Sequence, residues 1–120
     1  MRIVSLPRRD ITAFASSGVE MDFLPTIGTA EGARVHVATL RAGGTIGRHP
    51  APVHQVFAVV RGTCRVAGAD GVTRDLSTGQ AVLWEPGEEH QTWASTDVVA
   101  VIVETPGDVA LDENFPDVVG

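Results

Sequence analysis

"GRHPAPVHQVFAVVRG", running from Gly47 to Gly62, sets two histidines and a glutamine ahead of an apolar, β-branched run that closes on glycine. A strand starting at Gln55 places Phe57 and Val59 on the same face as Gln55, while His54, Val56 and Ala58 face the other way. His54 and Gln55 are therefore expected on opposite faces. Upstream, Pro50 and Pro52 fix their own φ angles, so His49 is expected in a stiff turn that aims its imidazole.

The same signature recurs along the chain: short β-branched runs between glycine-containing breaks, with no long apolar stripe of helical period. Expected strands are Arg34 to Leu40, Gln55 to Val60, Thr63 to Ala67, Val72 to Leu76, Ala81 to Trp84, His90 to Ala94 and Val98 to Glu104. This pattern predicts an all-β sandwich or barrel. "GADG" at Gly68 to Gly71 carries the Asp-Gly pair favoured at φ > 0 turn positions and predicts a hairpin. "WEPGEEHQTW" places His90 at the start of a strand after a Pro-Gly turn, so two imidazoles held by rigid turns can converge.

A chain of 120 residues matches one domain with a single core. The strand-bearing part is expected over about residues 34–104, with an edge strand and irregular approach in 1–33 and an acidic tail over the surface in 105–120. Apolar residues make up 43% and charged residues 20%, as in folded globular domains. Nine arginines, no lysine and fifteen acidic residues give a net charge of −6, which repels phosphate backbones and anionic lipid. Neither nucleic acid nor membrane is an expected partner. One cysteine, Cys64, allows no intrachain disulfide and no thiolate zinc cluster, and the N-terminus lacks an apolar stretch of signal-peptide length. A cytoplasmic location is expected. The absence of Lys and Tyr removes Schiff-base chemistry and phenolic acid catalysis from consideration.

Two spaced motifs give the chain its resemblance to the cupin superfamily of small β-barrels. The first family motif reads Gly, five residues, His-x-His, three or four residues, Glu, six residues, Gly, and here Gly43, His49, Ala51, Gln55 and Gly62 occupy its positions. The second reads Gly, five residues, Pro-x-Gly, two residues, His, three residues, Asn. Gly79, Gly87 and His90 fall in register with it, while Glu85 takes the Pro position and Ala94 the Asn position. The resemblance implies a double-stranded β-helix, or jelly-roll, barrel and a homodimer. Metal-binding members usually supply three His and a Glu, of which His49 and His90 are kept, with Ala51 and Gln55 as replacements.

The resemblance therefore implies a reduced site, in which His49, Gln55 and His90 hold one face of a divalent transition metal such as zinc, iron, nickel, manganese or copper. His54 substitutes as a third imidazole if the strand is shifted. His36, Phe57 and Trp84 are expected to line a pocket for a small-molecule ligand. Glu85, Glu88 and Glu89 read as a solvated turn, and Cys64 as an inert, partly buried thiol. Three functions fit this reading: a metal-dependent enzyme of dioxygenase, isomerase or lyase type, a metal-free ligand-binding or accessory module, and a scaffold whose barrel is filled by its own side chains.

Overall fold

Alternation about Gln55 governs the architecture. In the computed structural model, which describes residues 5, 8–23 and 32–118, Gln55, Phe57 and Val59 are buried on one face of their strand. The described residues form β1 (Arg8–Asp10), a 3-10 turn (Ala13–Ala15), β2 (Ser17–Phe23), β3 (Arg34–Pro50), β4 (His54–Arg61), β5 (Thr63–Ala67), β6 (Thr73–Ser77), β7 (Ala81–Trp84), β8 (Glu89–Ala94) and β9 (Val98–Thr105). No helix among them is long and apolar enough to cross a membrane.

The strands pair in the order β6-β5-β8-β3-β9-β4-β7, with β2 added to β3 and β1 to β2. This is the expected jelly-roll barrel, and its key element is the 17-residue β3. The first half of β3 pairs with β9, from Arg34 opposite Glu104 to Leu40 opposite Val98. Its second half pairs with β8, from Thr45 opposite Trp93 to Pro50 opposite Glu89. β3 thus joins the β8 side to the β9 side, and the continuous sheet wraps around a single core. Phe57, Leu40, Val59 and Val98 are its largest fully buried apolar side chains. Each stabilises the fold by about 1.5–3 kcal/mol relative to exposure.

Most expected strand boundaries agree with the structure within two residues, and β5 and β7 match at both ends. The exception is the stretch before Gln55. His49 lies in β3, not in a turn, because the ladder to β8 carries the strand through to Pro50. Proline is tolerated there as the last residue, where a missing N–H breaks no interior bond. The "GADG" hairpin joins β5 to β6, with the Gly71 amide donating to the Gly68 carbonyl. In the N-terminal region, β1 and β2 extend the sheet at β3; the stretch 24–31 lies outside the described residues. Arg8 of β1 clasps Asp22 of β2 through two hydrogen bonds of 2.8 and 2.9 Å.

Gly62 joins β4 to β5 at a φ of 91°. A Cβ there would come within 2.0 Å of the Asp97 carbonyl oxygen, so the corner requires glycine both for its conformation and for the close backbone approach.

Candidate functional site

His49 and His90 are direct partners across the β3–β8 ladder. Their ring centroids lie 4.4 Å apart with the planes tilted by 54°. Convergence of the two imidazoles, expected from the motifs, is thus met by strand pairing.

Backbone carbonyls set both rings. His49 Nδ1 lies 2.7 Å from the Gly47 carbonyl and His90 Nδ1 lies 3.0 Å from the Glu88 carbonyl. A carbonyl oxygen only accepts, so each Nδ1 carries the proton, and in the neutral ring Nε2 is left as the acceptor. The Glu88 carbonyl also accepts the Ala51 amide at 3.0 Å, and the Gly87 amide donates to the Ala51 carbonyl at 2.7 Å. These bonds fasten the segment after β3 to the turn before β8, which holds the two motifs together. Glu88 Oε1 further accepts the Glu85 amide at 3.0 Å. Glu88 is therefore a working part of this turn, and the expectation of a merely solvated acidic cluster is corrected for it.

Rings continue on both sides of the pair. Trp84 stacks on His90 at 4.1 Å with an interplanar angle of 25°, and Phe14 stacks on His49 at 4.3 Å and 9°. Exposure falls along this column, from 56% at Phe14 to 3% at His90 and 3% at Trp84. Burial holds the His90 imidazole below the ordinary histidine pKa, opposed by its bond to the Glu88 carbonyl and reinforced by neighbouring His49. At neutral pH, His90 is a neutral acceptor. On each of these neighbouring rings, Nε2 can take a hydrogen bond from an O–H or N–H group, accept a proton, or bind a cation.

The other expected residues fall in different places. Gln55 is buried and stands in register with Trp84 on one side and Glu104 on the other. Phe57 belongs to the apolar core. His36 stands opposite Ile102 on β9, and its Nε2 lies 3.8 Å from Glu104 Oε1. His54 faces away from Gln55, as expected, with Nε2 3.1 Å from Glu85 Oε2. A cavity of about 290 Å³ is lined by His54, Gln55, Leu83, Trp84, Glu85, Asp108 and Val109. It shares Trp84 with the ring column, and neither His49 nor His90 lines it. Arg48 turns to Glu89, 3.7 Å away. Among the described residues, no three His, Cys, Asp or Glu side chains are grouped to hold a metal ion.

Two residues beside the expected ones, Glu104 and Phe14, are not among those the motifs single out. Glu104 continues the inward alternation of Val98, Ala100 and Ile102, a signal present in the sequence. Phe14 had no such signal. It and Ala15 adopt φ values of 60° and 56°, a left-handed conformation costing about 1–2 kcal/mol per non-glycine residue.

The barrel topology, the reduced motif pair and the facing imidazoles are those of a cupin. The family's cupin domain profile matches residues 36–106, and the chain belongs to the cupin family. Among solved structures it is similar to the polyketide cyclase RemF from Streptomyces resistomycificus, with a TM-score of 0.72, 16% identity, and coverage of 94% of this chain and 88% of that one. An RmlC-like cupin from Shewanella frigidimarina superposes with a TM-score of 0.70 at 20% identity over 85% of each chain. KdgF from Halomonas sp. gives 0.69 at 20% identity over 85% of this chain and 87% of that one. At these identities the likeness is one of fold. Comparison with curated protein sequences finds no match.

Proposed function

We propose that this cupin binds a small molecule at the imidazole pair, with Nε2 of His49 and Nε2 of His90 as paired acceptors for its O–H or N–H groups. The observation carrying this reading is the double anchoring of Nδ1 to the Gly47 and Glu88 carbonyls. Anchored rings lose little further freedom on binding, so the site is pre-organised. Gln55 and Trp84 supply a polar and an aromatic wall beside it.

A second reading adds a divalent transition metal on His49 and His90, with Gln55 as a further oxygen donor. The same Nδ1 anchoring favours it, because metal-ligating histidines usually donate their other nitrogen to a carbonyl or carboxylate. Two imidazoles and an amide carry no negative charge to offset the ion, and no third charged or imidazole donor joins them among the described residues. The donor set therefore falls short of a complete resident metal centre, and the proposed binding does not depend on an ion.

Thermal shift against a panel of small hydroxylated, amino and aromatic compounds tests the proposal, using chelator-treated protein beside a His49→Ala, His90→Ala double variant. A shift seen in the wild type and lost in the variant is the expected result. Shifts equal in both proteins overturn the site. Elemental analysis of the same two proteins, purified without added metal or chelator, decides the second reading: metal in the wild type alone supports it, and equal amounts in both remove it.

A further inference from the structure

We propose that Phe14 is a cover on the imidazole pair, a side chain that shields one face of His49 and whose departure opens that face to a ligand. The inference rests on the reading of His49 and His90 as the binding site.

Three independent features carry it. The Phe14 ring lies nearly parallel to the His49 ring, 4.3 Å away, and is 56% exposed, so it shields that face of the imidazole from solvent. Beyond His49 the column is closed by His90 and Trp84, both 3% exposed. The cover also has a built seat. A Cβ on Gly47 would come within 1.5 Å of the Phe14 carbonyl oxygen, and the Gly47 amide donates to Ser16 Oγ at 3.1 Å. Gly47 thus accepts the turn by lacking a side chain and fastens it through its amide, while its carbonyl orients His49. Finally, the seated turn holds Phe14 and Ala15 at positive φ, which L-residues avoid. Opening relieves both, offsetting the stacking and the Ser16 hydrogen bond that are lost. A covering element whose closed form stores strain against a few weak contacts opens readily.

Carbethoxylation by diethylpyrocarbonate, which attacks unprotonated imidazole nitrogen, reads this directly when the four histidines are followed separately by peptide mass mapping at pH 7. His36 and His54 serve as internal references. Phe14→Ala should speed modification of His49 relative to the references by about tenfold, the order expected for losing one ring stack and one seat. Gly47→Ala should do the same without touching the aromatic ring, since its Cβ displaces the Phe14 carbonyl. Ala15→Gly should slow the reaction, because glycine adopts positive φ without steric cost. A single structural weakening cannot produce both signs. Relative rates unchanged in both Phe14→Ala and Gly47→Ala, or an acceleration shared equally by all four histidines, overturns the proposal. The readout is ring accessibility, so it stands or falls separately from whether the thermal-shift panel yields a ligand.

Discussion

His49 and His90 are Cα partners across the β3–β8 ladder, with ring centroids 4.4 Å apart. Each of these rings is sandwiched between the other and one further aromatic side chain. Protonating the buried member of such a pair is costly, and this gives the fold a pH dependence.

The His90 pKa is lowered in the folded protein, chiefly by burial, from its ordinary value of 6.5. Below that value the unfolded chain binds a proton that the native ring resists, so stability rises with pH across the window and is lost as pH falls. The melting temperature should drop as pH is lowered from 7 to 5. His90→Gln should flatten that slope, and a variant as steep as the wild type would remove His90 as its source.

Trp84 is 3% exposed and touches both Phe57, at 6.0 Å between ring centroids, and His90. Trp84→Ala should cost about 3–5 kcal/mol by urea unfolding, as expected for emptying a buried aromatic site. Trp84→Phe keeps a ring on His90 and should cost markedly less.

At Gly62 the loss should come from the backbone. Alanine there takes a disfavoured positive φ and drives its Cβ into the Asp97 carbonyl, 2.0 Å away. Gly62→Ala should destabilise by more than the ~1–2 kcal/mol that the left-handed conformation alone costs, measured as a fall in the urea midpoint.

Cys64 is 1% exposed, and burial pushes its thiol up to about 11. It should resist aromatic disulfide reagents at pH 8 in the native protein and react at once in denaturant, because the thiolate is the reactive form. Rapid labelling of the native state would show that β5 opens far more readily than its packing implies.

Much of the fold was legible because strands announce themselves locally. Gln55, Phe57 and Val59 alternate with outward residues, Gly68 to Gly71 holds turn residues, and the apolar runs have strand length. The extent of β3 was not legible: Arg41 to Pro50 is rich in glycine and ends in proline, and only pairing with β8 keeps it extended. The same limit applied to the site. His49 and His90 were singled out by motif spacing, but the place of Glu88 in the turn depends on hydrogen bonds to Ala51, Glu85 and His90 that spacing does not display.

What the sequence determined by itself was the barrel class, the inward face of β4 and the two histidines most worth bringing together, since alternation and turn chemistry depend on neighbours in the chain. Tertiary structure alone decided which nitrogen of each ring is presented, how deeply His90 is buried and that Phe14 covers His49. Those properties arise from carbonyls and rings contributed by distant segments, and a left-handed phenylalanine is stable only where a glycine on another strand leaves room for its backbone.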